Sequence, residues 1–286
     1  METHILAPLI EFFFSRIPDA YIMSVESENL ENALVSAVKS QVQGEDVAVA
    51  FSGGLDSGLV AAIAKEHARS VTLYTSGKDN SYDVVMAREM SEKLGLPWLH
   101  IPLNEDNIEA RLREMISITG TSSPLTLSFE LPLFFVCRTV REKYVLSGQG
   151  SDELFAGYSK YIGLSVEELD RMRKADIGKL ISSTIPHETK VADHFGRKVL
   201  YPYMDPLVTM QVNAMDLKEL VPADQDHRKM LLRQVANNLG YPFIAEKKKK
   251  AAQYGSGTMD LVRKVASDRG LTYAELVDQI YKEIFE

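Results

Sequence analysis

The chain has 286 residues, enough for one large domain or about two of about 150 residues each. Hydrophobic residues make up 45% and charged ones 25%, which excludes a mostly disordered chain. Lys and Arg number 32 against 40 Asp and Glu, and a net charge of −8 argues against a grip on nucleic acid by bulk charge.

Residues 5–22 are the most apolar stretch, but Glu11, Arg16, Asp19, Pro8 and Pro18 interrupt it, so no membrane-spanning helix or signal segment is expected. Residues 1–22 read either as an extension outside the core or as an ordinary packed helix. A helical pattern follows from Leu30 to about Val42. Val47–Phe51 is a continuous apolar run, the mark of a buried parallel strand. It turns through Ser52-Gly53-Gly54 into a helix over 56–68. The alternation repeats, with strands at 71–75, 98–102 and 144–147, and helices at 82–94, 108–118 and within 124–141. This predicts an open, doubly wound parallel α/β sheet. After Tyr161 the strand signal fades. The segments 166–182, 227–239, 259–269 and 272–285 all read as helices. The expected organisation is an α/β unit over 23–160 and a mostly helical part over 161–286 that completes the active site. The single cysteine, Cys137, excludes an internal disulfide and a CxxC metal site, and points to the cytoplasm. The six histidines show no metal-ligand spacing, and Cys137 is expected as a buried, inert thiol.

Two glycine-rich turns carry the chemistry. Ser52-Gly53-Gly54-Leu55-Asp56-Ser57 joins the first strand to its helix, offering free backbone N–H groups and a helix N-terminus to an anion. Asp56 beside a phosphate needs a cation between them, which points to Mg²⁺. The second turn, Ser147–Tyr158, follows another strand, at the end where open α/β sheets bind ligands, and Asp152 is a candidate second carboxylate on the same ion. Tyr158 is expected either to contact substrate or to pack.

The first hexapeptide resembles the SGGxDS signature of the N-type ATP pyrophosphatases, with their adenine-nucleotide α-hydrolase-like fold. Ser147-Gly148-Gln149-Gly150-Ser151-Asp152-Glu153-Leu154-Phe155-Ala156-Gly157-Tyr158 resembles the SGEGSDELFGGY motif of the asparagine synthetase and β-lactam synthetase family. Residues 75–83, Val199–Asp205 (VLYPYMD, against the family's RVPFLD) and Lys229–Gln253 with the following Tyr254-Gly255 (against K-x-x-L-R…R-x-K-x-x-F) extend the likeness over about residues 30–257. The resemblance implies an enzyme that adenylates a carboxylate with ATP·Mg²⁺, by default aspartate, and forms an amide, releasing AMP and pyrophosphate. It places pyrophosphate on Ser52, Gly53, Gly54, Ser57 and Lys249, Mg²⁺ on Asp56 and Asp152, and the adenylate against Ala50, Ser76, Ser147 and Gly148. Lys249 and Asp56 are the catalytic candidates; Lys248 or Lys250 would replace Lys249 after a one-residue slip in alignment.

Three departures qualify it. Glutamine-using members carry a glutaminase domain whose cysteine follows the initiator Met. Here Glu2 follows Met1, so the nitrogen is expected as ammonia, from a glutaminase partner subunit or from an amine. Gln149 stands in place of a glutamate thought to deprotonate the nitrogen, and an amide cannot be a general base. Leu200 stands in place of the motif's arginine. The alternatives are another acceptor, a small amine or a tRNA base, or a non-catalytic nucleotide-binding module. Membrane association is not expected, and a homodimer is left open.

Overall fold

The computed structural model describes residues 19–246 and 255–286, leaving aside the side chains of 19–25. In chain order the main elements are α1 (Asp19–Val42), β1 (Asp46–Ala50), α2 (Leu55–His67), β2 (Ser70–Gly77), α3 (Tyr82–Leu94), β3 (Trp98–Pro102), α4 (Glu105–Thr119), α5 (Pro124–Thr139), β4 (Tyr144–Leu146) and the single turn α6 (Ser151–Leu154). Beyond it lie α7 (Val166–Lys179), the π turn Leu180–Thr184, α8 (Ile185–His194), β5 (Lys198–Leu200), α9 (Pro206–Ala214), α10 (Met230–Asn238), α11 (Pro242–Ala245), α12 (Thr258–Asp268) and α13 (Tyr273–Phe285).

All strand pairs are parallel, in the order β3-β2-β1-β4-β5. The chain moves outward from β1 to β3, then returns to the other side of β1 with β4, so the order reverses beside β1. That is the crevice where open α/β sheets hold their ligands. The reading of a doubly wound parallel sheet holds, because alternate residues along each strand enter two different cores. Val47 and Val49, Val71 and Leu73, Leu146 and Leu200 pack with α1, α2, α3 and α10. Ala48, Tyr74, Val145 and Val199 point the other way, to a second core built from α4, α5, α8, α12 and α13.

One expectation is corrected. Past Tyr161, where the strand signal fades, no strand is expected, yet β5 lies in the second half of the chain and pairs in register with β4, Val145 opposite Val199. Only three residues long, β5 is too short to show a period. The helix predicted over 227–239 begins at Met230, after Lys229, whose backbone is left-handed (φ +57°). Among the described residues no helix is long and apolar enough to cross a membrane. Cys137 is fully buried, and burial pushes its thiol up to about 12, as expected of an inert cysteine. Residues 1–18, most of the segment read as either an extension or a packed helix, lie outside the described residues.

Candidate active site

The site is built at the carboxyl ends of β1, β2 and β4. The apolar run of β1 stops at Ala50. Gly53 then takes φ +71°, folding the chain back so that α2 starts at Leu55. A side chain at Gly53 has no room: its Cβ would stand 2.5 Å from the backbone of Met86 and Ala87 on α3. Gly53→Ala should therefore cost about 3 kcal/mol, combining left-handed strain with overpacking, and urea unfolding measures it. Ser52 and Ser57 close the turn on themselves, their hydroxyls 3.3 Å apart, while the Ser52 amide donates to Ser57 Oγ at 3.3 Å. Both hydroxyls thus stand at the mouth of a helix N-terminus.

The second turn comes to rest against the first. Ser147 follows β4, and its amide donates to Leu200 O on β5 at 3.0 Å. Gly148 packs so closely on the first turn that a Cβ there would lie 3.1 Å from Ser57 N. Ser76, near the end of β2, is buried and donates to Pro132 O at 2.9 Å. Ala50, Ser76, Ser147 and Gly148, read from sequence as lining one nucleotide pocket, thus sit at three adjacent strand ends. Tyr203 of the VLYPYMD segment is fully buried, and its hydroxyl donates to Asp56 O at 3.1 Å.

Asp56 and Asp152 converge, on a group to which the sequence reading gave no role. Lys229 Nζ lies 2.7 Å from Asp56 Oδ1, 2.6 Å from Asp152 Oδ1 and 2.9 Å from Ser151 Oγ. Its side chain is 3% exposed, against 23% and 21% for the two carboxylates. Burial opposes its charge, but the Asp152 and Asp56 carboxylates outweigh burial and raise its pKa above the usual lysine value. Its signal in the sequence was its place at the head of the K-x-x-L-R stretch.

The donor set fits a hard cation. Two carboxylates from different turns meet at one positive group, and Mg²⁺ is commonly held by one or two carboxylates together with substrate phosphate oxygens. Among the described residues no three His, Cys, Asp or Glu side chains gather into a metal site. Lys249, with its neighbours Lys248 and Lys250, lies outside the described residues.

Two other candidates resolve. Tyr158 packs within its own motif, its hydroxyl donating to Glu153 Oε1 at 2.7 Å. His194 is exposed, its ring edge-on to Phe195.

Residues 29–166 match the family model described as asparagine synthase. Among curated proteins, the "Putative asparagine synthetase (glutamine-hydrolyzing) 1" of Methanocaldococcus jannaschii is 28% identical over 302 aligned residues, covering 90% of this chain and 55% of that protein. Asparagine synthetase B (glutamine-hydrolyzing) of Escherichia coli is 26% identical over 277 residues, covering 82% of this chain and 49% of that protein. The chain thus spans about half the length of these relatives. Among solved structures, an NMN synthetase from Francisella tularensis is 17% identical with a TM-score of 0.43, covering 90% of this chain and 85% of the other.

Proposed function

We propose, from the match of residues 29–166 to the asparagine synthase family model, that this chain is an ATP-dependent carbon–nitrogen ligase. The proposed reaction joins a small carboxylate, by default aspartate, to ammonia or another amine. The observation that carries this reading is the meeting of the two glycine turns, with Asp56 and Asp152 gathered within 2.7 Å of one ammonium group at the sheet's ligand end.

In this reading Ser52, Gly53, Gly54 and Ser57 bind the β and γ phosphates with backbone N–H groups and hydroxyls, and Lys249 adds a point charge. Ala50, Ser76, Ser147 and Gly148 line the adenylate pocket. Asp56 and Asp152 hold Mg²⁺, which supplies positive charge to the phosphates when bound. A substrate carboxylate oxygen attacks the α-phosphorus, the bond from that phosphorus to the bridging oxygen breaks, and pyrophosphate leaves. The amine nitrogen then bonds to the acyl carbon, and the carbon–oxygen bond to AMP breaks with its electron pair on the AMP phosphate. Starting from ammonium, two protons are lost overall. The chain supplies positioning and charge stabilisation and forms no covalent intermediate of its own. The nitrogen would arrive as free ammonia, from a glutaminase partner subunit or on a small amine. Gln149, which cannot accept a proton, favours an acceptor handled differently from the family's ammonia.

The test is release of AMP and pyrophosphate from ATP·Mg²⁺ with aspartate and ammonium. Equal amounts are expected, with at least a hundredfold loss in Asp56→Ala. ADP as product would overturn the reading. ATP binding without turnover over a panel of carboxylates would favour a nucleotide-binding module.

A further inference from the structure

Next to the site lies a set of buried acceptor oxygens that no donor satisfies. Glu130 on α5 is 2% exposed, and neither of its carboxyl oxygens has a hydrogen-bond partner. Glu188 on α8 is 6% exposed, and its Oε2 is unpartnered. The hydroxyl of Tyr201, the residue just after β5, is buried and also unpartnered. His187 Nδ1 lies 3.5 Å from Glu130 Oε1 and has no hydrogen bond.

Buried polar groups are nearly always hydrogen-bonded, and buried acids are nearly always paired with a cation. Among the described residues two buried acids thus stand with open carboxyl oxygens, with the uncharged Tyr201 hydroxyl beside Glu188. Burial pushes Glu130 up to about 9, with the Glu188 charge adding to it, and pushes Glu188 up to about 7, with the Tyr201 hydroxyl easing it and the Glu153 charge adding. Burial also lowers the pKa of His187, so the imidazole does not provide the cation.

The position is specific. Leu200, which immediately precedes Tyr201, takes the Ser147 amide through its carbonyl, so Tyr201 lies beside the turn that carries Gln149. Pro132, two residues from Glu130, takes the Ser76 hydroxyl. The cluster therefore backs onto the strand ends that line the nucleotide pocket.

We infer that Glu130, Glu188, Tyr201 and His187 form a binding site for an –NH₃⁺ group, ammonium itself or the end of a small primary amine, and that it serves the nitrogen donor. An ammonium group brings donors and a positive charge to the open carboxyl oxygens, and its charge favours ionising the Glu130 and Glu188 carboxyls that burial alone holds toward the acid form. The role as donor subsite rests on the ligase reading above. It also answers the loss of a base at Gln149: bound ammonium can pass one proton to the Glu188 carboxylate, leaving NH₃ with a free electron pair beside the acyl carbon.

Thermal unfolding of the full chain, at fixed ionic strength in chloride salts of ammonium, methylammonium, tetramethylammonium or sodium, tests the binding itself. Ammonium is expected to raise the midpoint above sodium, and tetramethylammonium, which has no N–H donor, is not. The rise should vanish in Glu188→Gln and Glu130→Gln. A rise with ammonium but not methylammonium assigns ammonia as the donor, and a rise with both assigns a primary amine. No rise over sodium, or a rise that survives in both variants, overturns the site. In the AMP-release assay, each variant should raise the KM for ammonium at least tenfold while leaving the KM for ATP within twofold. An unchanged KM for ammonium overturns the donor role. If wild type releases no AMP yet shows the ammonium-specific rise, the ligase reading fails and the ammonium site stands.

Discussion

Replacing Lys229 with methionine is expected to unfold the site and abolish turnover, with a loss of stability of about 3 kcal/mol. The side chain is 3% exposed and is the shared counter-ion of Asp56 and Asp152. Taking it away leaves two carboxylates from different turns facing each other with nothing between them. The space is tight as well as charged: a Cβ at Gly157 would lie 2.1 Å from Lys229 Cε and 2.0 Å from Asp152 Oδ1. Lys229→Arg, with its larger planar head, should therefore not rescue. Urea unfolding of Lys229→Met beside the double variant Lys229→Met/Asp152→Asn separates charge from packing. The double variant should recover part of the loss, because one of the two stranded charges is gone. Equal loss in both would show that packing, not charge, is what Lys229 contributes.

The second large effect is on pH dependence. Glu130 has a folded-state pKa of about 9 against an ordinary value of 4.5, raised first by burial and then by Glu188. The sign follows from proton counting. Below pH 4.5 the carboxyl is protonated in both folded and unfolded chains, and it does not bias folding. Between 4.5 and 9 the folded chain keeps a proton that the unfolded chain releases, so stability falls as pH rises. Above 9 the slope ends. Glu188, raised to about 7, adds a slope of the same sign at lower pH. Glu130→Gln removes the first slope while keeping the shape of the side chain. From pH 5 to pH 8 the wild type should lose on the order of 4 kcal/mol relative to this variant, and denaturant midpoints across that range measure it. Parallel profiles would mean that Glu130 is ionised and solvated in the folded chain. A variant more stable than the natural protein at pH 8 is what a strained, functional cluster predicts.

Much of the architecture was legible because its signals are local. A four- to eight-residue apolar run, a glycine turn and a helical period are each contained in about a dozen residues, and Tyr82–Leu94 and Trp98–Pro102 appear with the bounds their sequence predicts. The turns Ser52–Ser57 and Ser147–Tyr158 were legible for the same reason. Their place at the ligand end of the sheet follows from the parallel order alone. β5 was not legible: three residues carry no period, and it is a strand because β4 offers it an edge.

The sequence by itself thus determined the fold class, the two glycine turns at the strand ends and the carboxylates Asp56 and Asp152 within them, since each depends on residue types at short, regular spacing. Only the tertiary structure decided what stands between those carboxylates. Lys229 is 173 residues from Asp56, and it reaches the pair from a left-handed position at the head of a helix, a geometry with no local pattern. The tertiary structure likewise decided that Glu130, Glu188 and Tyr201, ordinary residues on three separate elements, would share one dry space. Burial and missing partners are properties of the packed molecule, and no spacing along the chain encodes them.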